Sequence, residues 1–209
     1  IATGMLVEND VLSLGPNGER YETVLEVAKR AGKATGLVTT SLFFDASPSA
    51  FAVHQSSRGL YPEIAREMLG LIQPDLVMGA GEWLVDDLAT GVLEVAQRSG
   101  YAIVRGAAEL DAWDPARDPR LLGLFETRFV PVVMGGERFT MTPALERSAD
   151  CLDPTLATMT RRALERLSQA PDGFFLFAED ELTDEIGHRG PSEVSWANRA
   201  LPAQVEAID

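Results

Sequence analysis

The stretch Gly173-Phe-Phe-Leu-Phe-Ala-Glu-Asp-Glu-Leu-Thr-Asp-Glu-Ile-Gly-His188 runs from an apolar strand pattern into carboxylates and one of only two histidines in 209 residues. Phe174 to Ala178 reads as a core strand of a parallel sheet, because such strands are continuous apolar runs rather than alternating ones. Ligands of open α/β sheets gather beyond the carboxyl ends of strands, and Glu179 falls there. Asp184 and His188 follow at i, i+4 spacing, which on a helix puts both on one face where they can ligate a single cation. The competing reading of the same residues is a solvated acidic loop after a strand.

Outward from that stretch, apolar runs alternate with amphipathic ones, the pattern of βαβ units around a mainly parallel sheet. Tyr21 to Ala31 reads as a helix that Gly32 ends before a strand over Ala34 to Thr40. Tyr61 to Ile72 places Ile64, Met68, Leu69 and Ile72 on one stripe, with Pro62 in the first turn. A strand over Asp75 to Met78, a turn at Gly79-Ala-Gly81, a helix around Leu88 to Gln97 and a strand over Tyr101 to Arg105 follow. Residues 107–152 read as a less regular excursion with edge structure, containing the apolar islands Leu121 to Phe125 and Phe129 to Met134. Asp153-Pro154 is a suitable N-cap and first-turn pair for a helix whose stripe is Leu156, Met159, Ala163, Leu164 and Leu167. Pro191 to Asp209 reads as a last helix that Pro202 divides. The expectation is one domain over 1–209, a three-layer αβα sandwich with a mainly parallel central sheet.

Composition narrows the partners. Hydrophobic residues make up 45% and charged residues 24%, ordinary for a globular domain. With 32 acidic against 18 basic residues the formal charge is −14, which disfavours nucleic acid and anionic membrane surfaces. An anionic small substrate then needs a local cationic site, and bound metal ions supply one. Cys151 is the only cysteine, so neither an intrachain disulfide nor a Cys-rich zinc site is available. No apolar run reaches the length of a membrane-spanning helix.

Two separated segments carry a resemblance in the correct order. Pro154-Thr-Leu-Ala-Thr-Met-Thr160, Ala163, Leu167, Gly173-Phe-Phe-Leu176, Glu179, Asp184 and His188 match the form PTL..MT..A...L, GFFL..E, D...H. Ala34-Thr-Gly-Leu-Val-Thr-Thr40 and Asp45-Ala-Ser-Pro-Ser-Ala-Phe-Ala-Val-His-Gln-Ser-Ser-Arg58 match ATG.V.T and D/H-A-T-P-A-A-F..H..SR. The chain thereby resembles the alkaline phosphatase family over essentially its whole length.

The resemblance implies a phosphomonoesterase using a serine nucleophile, two zinc ions and one magnesium ion. It gives Glu179 as a magnesium ligand, Asp184 and His188 as ligands of one zinc, and Asp45 and Ser47 as the magnesium surroundings. Oxygen-only donors suit magnesium and an imidazole suits zinc. Asp45 and Ser47 also read as a helix start before Pro48. Arg58 is implied to grip two phosphate oxygens with its planar fork, the alternative being a surface ion pair. His54 is expected to be structural and hydrogen-bonded, and Gly79-Ala-Gly81 lacks the Lys and Ser/Thr of a phosphate loop. Asp180, Glu181 and Glu185 depart from the family pattern, and the added carboxylates would repel phosphate or recruit another cation.

The serine nucleophile is expected upstream of Ile1 and the remaining zinc ligands beyond Asp209, so the chain is expected to be a central portion that is inactive alone. Further implications are a small-molecule phosphate monoester as substrate, a homodimer, and a periplasmic or extracellular location. The rival readings are a phosphodiesterase or sulfatase of the same superfamily, and a non-catalytic acidic domain that binds a divalent cation.

Overall fold

A computed structural model describes residues 1–125 and 154–181. Helix α1 (Val24–Arg30) leads into strand β1 (Ala34–Leu42), followed by α2 (Ala46–Ala52) and α3 (Tyr61–Glu67). Strand β2 (Leu76–Ala80), α4 (Glu82–Asp86), α5 (Val92–Arg98) and β3 (Tyr101–Arg105) come next. Then follow α6 (Ala107–Ala112), β4 (Arg120–Leu124), α7 (Leu156–Leu167) and β5 (Phe174–Glu179).

The five strands among the described residues form one sheet in the order β3-β4-β2-β1-β5, and every pairing among them is parallel. Strand alternation sends Leu37, Val77 and Leu122 into a core shared with Leu25, Ile64, Met68, Leu69 and Ala96 from α1, α3 and its extension, and α5. Val38, Leu76, Met78 and Leu121 point the other way, onto Leu110, Trp113, Met159, Ala163 and Leu167 in and beside α6 and α7. Helices thus cover both faces, the three-layer αβα sandwich.

Local chemistry explains the helix ends. Thr23 and Glu26 form a reciprocal capping box at the start of α1. In α7 the cap is Thr155, whose hydroxyl accepts from the Thr158 amide at 3.0 Å, while Asp153, the expected cap, lies outside the described residues. Leu164, expected on the buried stripe, is exposed, because the buried set is Leu156, Met159, Ala163 and Leu167. The amphipathic run from Tyr61 keeps its buried stripe but changes from α-helix to a π turn over Met68–Ile72. The expected helix around Leu88 to Gln97 is broken at Gly91 into a 3₁₀ turn (Leu88–Thr90) and α5.

Two placements differ from the sequence reading. Arg120–Leu124 lies inside the sheet between β3 and β2, not at an edge, and Leu121 to Phe125 are all buried. The short apolar run is a strand buried on both faces, while the Asp, Pro and Arg residues around it belong to the turn before it. Phe174 to Ala178, expected as a core strand, stands at the end of the described sheet as part of β5, with Phe174 and Ala178 exposed. The last helix expected from Pro191 and the island Phe129 to Met134 lie outside the described residues.

Candidate functional site

The carboxyl ends of β1 and β5 are adjacent in space although far apart in sequence, and they carry the polar groups. Thr39 pairs in register with Glu179, and its Oγ1 donates to Glu179 Oε2 at 2.9 Å. The same Thr39 oxygen accepts from the Ser41 amide at 3.0 Å. Ser41 Oγ donates to Asp45 Oδ2 at 3.0 Å, and the other Asp45 oxygen accepts from Arg58 Nη2 at 2.5 Å. Glu179, Thr39, Ser41, Asp45 and Arg58 therefore form one polar chain that runs from a strand end to the loop after α2.

Asp45 has two tasks here. Its Oδ1 also accepts from the Ala46 amide at 2.7 Å, capping α2. The helix-start reading and membership of the polar chain hold together. Partial burial by itself would lower the Arg58 pKa, but the Asp45 carboxylate beside it raises it, so the guanidinium is charged at every working pH. Its side chain is 47% exposed while that of Asp45 is 20% exposed, leaving the cation open to an incoming anion.

Neighbouring glycines let the strands come this close. A Cβ on Gly79 would stand 2.9 Å from Thr39 Cγ2 and 3.0 Å from the Ser41 carbonyl oxygen. Gly79 and Ala80 continue β2 instead of forming the expected turn. Gly81, at φ 126°, is the residue before α4, and a Cβ there would stand 2.5 Å from Phe44 Cε1.

The predicted site residues separate into three groups. Asp45, Arg58 and Glu179 share the polar chain. Ser47 is exposed on the first turn of α2 and stands outside that chain. Asp184 and His188 lie outside the described residues, as does Glu185. Of the departures from the family pattern, Asp180 accepts from Thr40 Oγ1 at 3.2 Å, and the Glu181 amide donates to the same oxygen at 3.0 Å. The hydroxyls of Thr39, Thr40 and Ser41 were not singled out in the sequence, although three consecutive hydroxyl residues at a strand end were the available signal.

Among the described residues no group of three or more His, Cys, Asp or Glu side chains is arranged to hold a metal. What they offer is a partial donor set of oxygens, the Asp45 and Glu179 carboxylates joined by hydroxyls, chemistry that fits a hard cation such as magnesium.

His54 is buried away from this chain. Arg20 can only donate, so His54 Nδ1 accepts from Arg20 Nη2 at 2.9 Å and the Nε2 hydrogen points to the Tyr21 carbonyl at 3.0 Å. Glu67, with a side chain 10% exposed, accepts from Arg20 Nη2 at 3.0 Å, from the His54 amide at 3.2 Å and from Gln55 Nε2 at 2.6 Å. Burial by itself would raise its pKa, yet hydrogen bonds from His54 and Gln55, with Arg20 nearby, hold it below the ordinary glutamate value.

Comparison with known proteins identifies the family and the fold. Residues 1–197 match the family model described as alkaline phosphatase. Alkaline phosphatase 4 of Bacillus subtilis is 31% identical over 99% of this chain and 43% of its own length. Escherichia coli alkaline phosphatase is 32% identical over 90% of this chain and 47% of its own length. The crystal structure of Thermus thermophilus alkaline phosphatase superposes with a TM-score of 0.69 at 26% identity, over 84% of this chain and 35% of that one. The chain thus spans less than half the length of these relatives. From the family match over residues 1–197, the shared fold and relatives 31–32% identical in alignments covering 90–99% of its residues, the chain belongs to the alkaline phosphatase family.

Proposed function

We propose that this chain contributes the phosphate-binding arginine and part of the metal surroundings to a metal-dependent phosphomonoesterase. The observation that carries the reading is the Arg58–Asp45 contact, which holds a half-exposed cation beside a carboxylate linked through Ser41 and Thr39 to Glu179. A phosphate monoester would exchange part of that contact for its own oxygens, a geometry for which the guanidinium fork is shaped.

Glu179 and Asp45, with Ser47 on the first turn of α2, are assigned to the magnesium surroundings. Asp184 and His188 are assigned to one of two zinc ions. When bound, these ions supply positive charge that stabilises the transferring phosphoryl group. The residues placed here act by binding and orientation: Arg58 fixes the phosphate, Asp45 fixes Arg58, and Thr39 fixes Glu179. No nucleophile is assigned to this chain. The substrate is a small-molecule phosphate monoester, and a homodimer and a periplasmic or extracellular location go with the reading. No helix among the described residues is long and apolar enough to cross a membrane.

The test is competitive inhibition by inorganic phosphate in the full-length protein that carries this chain. Arg58→Ala should weaken it by ~1.5–3 kcal/mol, the range for a hydrogen bond to a charged group, with metal content unchanged. Unchanged phosphate inhibition would remove Arg58 from the site.

A further inference from the structure

Arg58 sits on a loop between α2 and α3, and a charged side chain on a loop is only as well aimed as the loop is held. Two clamps hold it. From one side the 8–14 segment pairs with it: the Leu12 amide donates to the Gln55 carbonyl at 2.9 Å and the Gln55 amide returns the bond to Leu12 at 3.1 Å. The Arg58 amide itself donates to the Asp10 carbonyl at 2.6 Å. Asp10 (φ 64°) and Ser13 (φ 52°) take the left-handed conformation in this segment, a local cost that the surrounding contacts must offset. From the other side stands Glu67, the last residue of α3, which receives the His54 amide and the Gln55 side chain in one carboxylate.

We propose that Glu67 is a positioning residue for phosphate binding: it anchors the 54–58 loop to α3 and so sets where Arg58 presents its guanidinium. The inference rests on Arg58 being the phosphate ligand. Glu67 does not touch Arg58, and its effect passes through the backbone. A buried carboxylate held by an arginine and a histidine is weak evidence for stability, since apolar residues of similar volume often serve that purpose as well. What an apolar side chain cannot do is bond the His54 amide and Gln55 Nε2 together. That pair of bonds ties the chain to α3 at His54 and Gln55, four and three residues before Arg58.

The experiment is a double-mutant cycle on the full-length protein, with inorganic phosphate as the probe and amide hydrogen exchange as the second measurement. Glu67→Ala should weaken phosphate inhibition about 10-fold, and should have no further effect once Arg58→Ala is present, because the two act as a unit. Glu67→Gln keeps one acceptor oxygen and should lose only about 3-fold, again in the parent background alone. If Glu67→Ala does not fold, the Gln variant in the two backgrounds decides. The same loss with and without Arg58, or phosphate inhibition within about 2-fold of the parent in Glu67→Ala, overturns the proposal. Should Arg58→Ala alone leave phosphate inhibition unchanged, the phosphate reading fails and this proposal falls with it. Faster exchange at the His54, Gln55 and Arg58 amides in Glu67→Ala, which can be read without any ligand, then shows that the loop anchor itself was correctly identified. Unaltered exchange there overturns the anchor independently of Arg58's role.

Discussion

Thr39 Oγ1 donates to Glu179 Oε2 at 2.9 Å at the last pair of the β1–β5 register, so one buried hydroxyl ties the ends of two strands 140 residues apart. Because the same oxygen also receives the Ser41 amide, its removal leaves two polar groups without that partner.

Thr39→Val should therefore destabilise the protein by about 1–3 kcal/mol, the cost of unsatisfied buried polar groups, and Thr39→Ser should recover most of it. Urea unfolding measures this. A Thr39→Val protein with the parent midpoint would show that the hydroxyl is not what joins the strand ends.

Gly81 is a backbone requirement. At φ 126° an L side chain is strained, and an alanine Cβ would land 2.5 Å from Phe44 Cε1, itself packed between Phe43, Tyr61 and Trp83. Gly81→Ala should cost at least about 1–3 kcal/mol from conformation alone, before any displacement of the aromatic cluster. The check is the thermal midpoint beside that of Gly100→Ala, whose Cβ meets nothing within 4 Å at φ 79°. Equal losses at the two positions would mean that the Phe44 contact adds nothing.

Glu67 gives the protein an acid-side dependence. Its folded pKa lies below the ordinary value of 4.5, so the stability it contributes is present above that pH and is lost as pH falls through the folded value. The urea midpoint of the parent should accordingly fall more steeply below pH 4.5 than that of Glu67→Gln. Parallel curves for the two proteins would contradict the assignment.

The parts of the fold legible in the sequence were those where one pattern had one structural solution. Tyr101 to Arg105 between Gly100 and Gly106 could only be a short strand, and the stripe of Leu156, Met159, Ala163 and Leu167 only a helix face. Arg120–Leu124 was missed as an internal strand because periodicity reports burial and says nothing about lateral neighbours. The same blindness made Phe174 to Ala178 look central when it stands at the end of the described sheet. Of the candidate site, spacing and resemblance picked out Asp45, Arg58 and Glu179, which meet through hydrogen bonds. Thr39 and Glu67 were not legible as individual residues, because a hydroxyl or a glutamate acquires its role from a partner far away in sequence, here Glu179 and Arg20, whereas Ser41, four residues from Asp45, stood in the run of hydroxyls that was the available signal.

The most direct measurement is hydrolysis of a chromogenic phosphate monoester by the full-length protein carrying this chain, comparing the parent with Glu179→Ala across added magnesium. If Glu179 and Asp45 belong to the metal surroundings of a phosphomonoesterase, Glu179→Ala should lower kcat/KM by about 100-fold or more, with magnesium restoring part of it. A folded Glu179→Ala protein that hydrolyses the ester like its parent, with the same response to magnesium, would contradict the account.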